Sequence, residues 1–223
     1  MCRLCVKPRK KFIMNYKKEI IAVLDPMCSW CWGFEPVLRR VQAELPRDTR
    51  LSILLGGLRS KGEQEWTSEF RHYLQGHWKH VEAKTGQRFM TDLLDKKEFE
   101  YDTEPACRAL VTLRELDASK VLSFFHALQA AFYLRSKDIT QTDIIMSIAE
   151  EEGIDKAGFK ALFLSQEMKD KTKEDSYKAR SMGANSFPSL VFIDEEGHLS
   201  VLKGYRSFEQ IKKSIQLGWR SPA

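Results

Sequence analysis

The sequence predicts an α/β fold: a central mixed sheet with flanking helices, carrying a large all-helical insertion. Three observations predict it. Two near-continuous aliphatic runs, residues 19–24 and 51–55, enclose a helical stretch, which makes a strand–helix–strand unit with a parallel pair. From about residue 62 to 183 the pattern is helical throughout. The chain then returns to strand pattern at Ser189–Ile193, turns through a glycine and ends in a short helix.

Each element has its own justification. Glu-Ile-Ile-Ala-Val-Leu at 19–24 suits a strand buried on both faces, and Asp25-Pro26 stops it. A helix starts around Ser29 and runs to about Glu44, with Val37, Leu38, Val41 and Leu45 on one face and Pro46 ending it. The second strand, 51–55, is closed by Gly56-Gly57. In the helical block Pro105 opens one helix at its first turn, with Leu110, Leu113 and Leu116 periodic. Residues 119–134 form the next, with an apolar face of Val121, Leu122, Phe125, Leu128 and Phe132. Thr140 with Asp143 reads as a capping box for a helix over 144–152, stopped by Gly153. Asp155 caps 159–164, and a polar-faced helix over 166–182 ends at Gly183. The turn at 194–197 joins Ser189–Ile193 to an antiparallel partner, Leu199–Lys203. Ser207 caps a last helix with Phe208, Ile211, Ile215 and Leu217 apolar.

This order of elements is the thioredoxin arrangement interrupted by a helical insertion. Three parts are expected: an N-terminal extension at 1–14, a thioredoxin-like domain at 15–60 and 167–223, and a helical insertion domain at 61–166. The extension is basic and aperiodic, and Met14 is a candidate functional start.

Composition narrows the classes of function. With 43% apolar and 30% charged residues among 223, the chain is ordinary globular material. The net charge of +5 is interspersed, and the single basic run, Arg9-Lys10-Lys11, reads as a solvated tail, so no nucleic-acid partner is expected. No apolar stretch approaches the roughly 18 residues that span a membrane, and no signal peptide is visible, so a cytoplasmic protein with no membrane partner is expected. Five cysteines make no even disulfide framework. In a reducing compartment, closely spaced pairs point to redox or metal chemistry.

Cys28-Ser29-Trp30-Cys31 carries that chemistry. It follows a strand and opens a helix, where unpaired N–H groups and the positive helix end favour a thiolate. The thiolate is the nucleophile in disulfide exchange. Cys28 is then the attacking thiol, and Cys31, three residues on, resolves the mixed disulfide. Near the other end, Ser186-Phe187-Pro188-Ser189 enters a strand. A proline there lacks the N–H a central strand needs, and a cis Phe187–Pro188 bond would explain it. In thioredoxin folds such a turn lies against the dithiol and offers backbone groups to a substrate strand.

From about residue 19 onward the chain resembles the DsbA-type thioredoxin-fold family. It is most similar to the cytosolic bacterial branch related to FrnE and 2-hydroxychromene-2-carboxylate isomerase. The resemblance rests on Asp25-Pro26-Met27-Cys28-Ser29-Trp30-Cys31-Trp32-Gly33, Gly56-Gly57-Leu58-Arg59, Glu104-Pro105-Ala106-Cys107-Arg108-Ala109 and Phe187-Pro188-Ser189. It implies disulfide reductase, oxidase or isomerase activity without a cofactor. The isomerase and kappa-type glutathione transferase relatives carry serine where this chain has Cys28, which argues for dithiol redox work.

The remaining candidates are read residue by residue. Asp25 is a candidate proton acceptor for Cys31, or a turn residue before Pro26. Trp30, Phe187 and Pro188 are expected to contact substrate, Trp32 to sit in the core, and Ser29 to start the helix. The segment 66–89 holds His72, His77 and His80 among aromatics, a candidate lid helix beside the dithiol; no ligand set completes a metal site there. Cys107 reads as a buried thiol. The expected partners are protein or peptide thiols and disulfides, with glutathione as a further candidate, and the chain is expected to be a monomer or homodimer. Two alternatives stand: a glutathione-dependent isomerase or transferase of the kappa-like class, and a non-catalytic zinc module using Cys2 and Cys5 with Cys28 and Cys31.

Overall fold

Alternate residues of the first strand serve two different cores. In β1 (Lys18–Leu24), Ile20, Ala22 and Leu24 face one side of the sheet, and Ile21 and Val23 face the other. The computed structural model describes residues 16–59 and 64–217. The expected extension at 1–14, with its basic run, Met14, Cys2 and Cys5, lies outside the described residues.

β1 is followed by α1 (Ser29–Glu44) and β2 (Thr49–Leu55). β1 and β2 are parallel, with Ala22 opposite Ile53. Six α-helices come next among the described residues: α2 (Ser68–Thr85), α3 (Glu104–Asp117), α4 (Val121–Arg135), α5 (Thr142–Glu151), α6 (Lys156–Phe163) and α7 (Gln166–Ser181). The chain closes with β3 (Ser189–Ile193), β4 (Leu199–Lys203) and α8 (Phe208–Gln216). The sheet order is β2-β1-β3-β4, and β3 runs antiparallel to both β1 and β4. The sheet is therefore mixed and flanked by helices, as its pattern predicts.

The larger core joins Ile20 and Leu24 of the sheet to Phe34 and Leu38 of α1, Ile211 of α8 and the aromatic-rich α4. The smaller one packs Ile21, Val23, Leu54 and Val191 against Ala179 of α7. α7 also covers the β2 edge. Asp175 Oδ2 accepts the Leu55 N–H at 3.1 Å, and Ser176 Oγ donates to the Gly56 carbonyl at 3.0 Å. Arg114 of α3 grips Asp175 through two 2.7 Å bonds and donates to the Ile53 carbonyl at 3.0 Å.

Two local expectations change. The capping box at Thr140 and Asp143 does not form. Asp138 Oδ1 takes both the Thr140 N–H and its hydroxyl (3.0 and 2.6 Å), so Gln141 and not Thr140 caps the helix, with no side-chain bond there, and the helix begins at Thr142, ahead of the expected 144. The helix expected over 119–134 begins instead as a 3-10 turn at Ala118–Lys120, because Asp117 Oδ1 accepts the Ser119 N–H at 3.1 Å, before α4 proper. The other caps form as read: Asp155 Oδ2 accepts from Gly158 N, and Ser207 and Gln210 complete a reciprocal capping box.

Candidate active site

The strand-to-helix turn after β1 places the dithiol. Asp25 Oδ1 accepts the Met27 N–H at 2.8 Å, and the Cys28 N–H donates to the Asp25 carbonyl at 3.1 Å. These bonds fold the chain sharply so that Cys28 becomes the N-cap of α1, at the positive end of the helix. The Cys28 carbonyl accepts the Trp32 N–H at 3.0 Å, and no side chain caps the helix there. Cys28 and Cys31 are both free thiols. Cys28 keeps 5% of its surface, whereas Cys31 keeps none. Burial, then the neighbouring Cys28 and the charge of Asp25, push the Cys31 thiol well above the ordinary thiol range.

The turn before β3 meets the dithiol from the far end of the sequence. The Phe187–Pro188 peptide is cis, and the Cys28 thiol donates to the Phe187 carbonyl across 3.8 Å. The Pro188 carbonyl accepts the Gly204 N–H at 2.8 Å, which ties this turn to the end of β4. Phe187 lies directly on Gly56, and a Cβ at that glycine would overlap its ring. Gly56 in the closing signal of β2 therefore has a packing reason: only a bare backbone leaves room for Phe187.

Behind the dithiol sits a fully buried carboxylate. Asp25 Oδ2 accepts the Leu58 N–H at 2.8 Å, and the Cys107 thiol of α3 donates to the same oxygen at 3.5 Å. Thr103 supplies a further side-chain hydrogen bond. Burial raises the Asp25 pKa, and these donors offset part of that rise. Tyr101, also buried, donates its hydroxyl to the Met27 carbonyl at 2.8 Å and so braces the turn that carries Cys28. The sequence marked Asp25 and Cys107 separately; their bond, spanning 82 positions, is a product of the fold.

In front of Cys28 lies a groove of about 310 Å³. α2 forms one wall with Tyr73 and His77, while Arg59 and Phe187 contribute from the loops. A helix thus borders the dithiol, at the place where a lid helix was expected. The Trp30 ring meets His77 and His80 edge-on, with centroids 6.3 and 5.7 Å away. Burial, then the nearby His80 and Arg59 charges, lowers the His77 pKa. Trp32 is in the core, stacked on Tyr133 and donating to the Arg88 carbonyl at 2.9 Å. The fold brings Asp25, Cys28, Trp30, Cys31, Phe187 and Pro188 to one end of the sheet. Tyr101 carried no sequence signal beyond its aromatic character, and Arg59 stood only inside a motif.

Residues 22–213 match the family model described as thioredoxin. This chain belongs to the thioredoxin family. A candidate protein disulfide isomerase of Nitrosomonas europaea is a structural neighbour with a TM-score of 0.82 and 32% identity, over 90% of this chain and 96% of that one. The cytosolic disulfide reductase DsbM of Pseudomonas aeruginosa has a TM-score of 0.71 at 23% identity, over 83% of this chain and 89% of that one, a likeness of fold. The ClpXP adapter protein SpxH of Halalkalibacterium halodurans is 27% identical over 195 residues, covering 80% of this chain. The chain spans about six-tenths (61%) of that relative's length. The thioredoxin fold expected from the order of elements is thus the fold of this family.

Proposed function

We propose that this protein is a thiol–disulfide oxidoreductase acting on protein or peptide disulfides through Cys28 and Cys31. The observation that carries this reading is the Cys28 thiol at the cap of α1, facing the Phe187 carbonyl, with Cys31 and the Asp25 carboxylate buried behind it. The Cys28 thiolate attacks one sulfur of the substrate disulfide. A Cys28–substrate bond forms, the substrate S–S bond breaks, and one substrate thiolate leaves. Cys31 then gives its proton to Asp25 and attacks Cys28 Sγ, which expels the second thiolate. The dithiol loses two electrons and the substrate disulfide gains two.

Asp25 suits the proton-acceptor role because it is buried beside the dithiol and burial raises its pKa, which makes its carboxylate a stronger base than an exposed one. Among the described residues no helix is long and apolar enough to cross a membrane. In the cytoplasm, where we place the protein, the glutathione pool favours the reduced dithiol, so reduction or isomerisation is the working direction. The test is insulin reduction together with trapping. Cys28→Ala abolishes turnover, and Cys31→Ala accumulates a mixed disulfide on Cys28. Turnover that survives Cys28→Ala would overturn the reading.

A second reading, a protease adapter, takes support from the name of the SpxH relatives. It predicts that a Cys28→Ala, Cys31→Ala double variant still speeds degradation of a client by ClpXP. The redox reading predicts that this chain does not affect that degradation.

A further inference from the structure

Among the described residues Arg59 is a cation without an anion, and it lines the dithiol groove. Its backbone is clamped to α3 from both directions: the Arg59 N–H donates to Thr103 Oγ1 at 3.2 Å, and the Thr103 N–H donates back to the Arg59 carbonyl at 3.1 Å. Its guanidinium is held over two rings, 5.0 Å from the Phe70 centroid and 5.7 Å from that of Tyr101. Such stacking fixes the plane of the fork and leaves its edge to hydrogen-bond. Its Nε is buried and has no hydrogen-bond partner, and among the described residues no carboxylate forms an ion pair with it. By contrast, Arg108 takes Glu104 and Arg114 takes Asp175. A buried, unmade donor on a charged group is costly, and a ligand that completes it recovers that cost.

The groove says where the ligand comes from. Arg59 shares it with Cys28, Trp30 and Phe187, which are the groups a substrate disulfide would meet. The other polar groups that line it include Ser29, His77, Asn185 and Ser186, so Arg59 is the one permanent cation among the groove's lining residues. Planar, bidentate recognition by a stacked guanidinium matches a carboxylate.

We infer that Arg59 is a specificity residue that selects disulfides carrying a carboxylate close to the reacting sulfur. This rests on the redox reading above. The carboxylate can come from an acidic residue beside a cysteine in a protein segment, or from a small peptide thiol such as glutathione. The chemistry is shared, and the test separates the two sources.

The reduced protein is mixed, in single turnovers, with two matched pairs of disulfides. One pair is a peptide with glutamate, or glutamine, beside its disulfide-bonded cysteine. The other is oxidised glutathione and its ethyl ester. A preference of about tenfold for the charged member is expected in one pair or both, the size of one charge-assisted hydrogen bond. Preference confined to the peptide pair assigns a protein segment, and preference confined to the glutathione pair assigns a small thiol. Arg59→Gln brings the ratio close to one, and Arg59→Lys keeps part of it, since it retains the charge and loses the fork. High salt shrinks the ratio in the unaltered protein, a readout that does not depend on a variant folding. Ratios near one in both pairs, or a ratio that Arg59→Gln leaves intact, overturn the inference. Rates that survive Cys28→Ala would instead overturn the redox reading, so the two failures are distinguishable.

Discussion

Asp25 is the residue on which the chemistry and the stability of this site meet. A buried carboxylate with a raised pKa favours its protonated form. The stabilisation is fully present below the ordinary carboxylate pKa and is lost as pH rises through the raised one. Urea midpoints of the native protein should therefore fall relative to Asp25→Asn as pH rises above the ordinary carboxylate range; parallel curves would refute the assignment. In stopped-flow single turnovers, Asp25→Asn should slow resolution of the mixed disulfide by about 100-fold, the span of a positioned base, and leave the first attack less affected. Cys107 tunes the same group. Cys107→Val removes the thiol donor to Oδ2 at similar volume, so the Asp25 pKa should move further up, displacing the alkaline shift of the resolution step in the same direction. A pH profile identical to that of the native protein would show the bond to be idle.

At the scale of elements, two junctions hold the site in place. The first is Gly56 under Phe187. Gly56→Ala forces the added methyl into the ring and pushes the turn before β3 away from Cys28, at a cost of about 2 kcal/mol, and turnover should fall more than stability. Thermal melts and insulin reduction measured together separate the two effects. The second is Arg114–Asp175, which pins α3 and α7 to the edge of β2. Asp175→Ala strands the guanidinium and the Leu55 N–H, and should cost about 3 kcal/mol in denaturant unfolding. A loss below about 1 kcal/mol would mean that water replaces the carboxylate.

For the whole molecule, the helical block does not stand apart from the sheet. One continuous apolar core runs from Ile20 and Leu24 through Phe34 and Trp78 to Leu128, Phe132 and Phe163. α2 rests on α1 so closely that a Cβ at Gly33 would come within 2.8 Å of the Thr85 side chain. Far-ultraviolet circular dichroism, which follows the helices, and tryptophan fluorescence, which follows the chain's five tryptophans, Trp30, Trp32, Trp66 and Trp78 of the described residues among them, should therefore report one coincident unfolding transition. Two separated transitions would show a block with a core of its own.

The sequence by itself determined the order of strands and helices, the two-sided burial of β1, most of the caps and the place of Cys28-Ser29-Trp30-Cys31 at a strand-to-helix turn. Each of these is a local signal: aliphatic runs, helical spacing, turn residues and a four-residue motif. It did not determine that Asp138 would outcompete a capping box, since both arrangements draw on neighbouring residues and packing chooses between them. Only the tertiary structure decided that Cys107 bonds to Asp25, that Phe187 leaves room for no side chain at position 56, and that the Arg59 Nε, in the groove before Cys28, finds no partner among the described residues. These relations join side chains from separate strands, helices and loops. Their energies depend on burial and distance, and neither exists until the chain has closed its core.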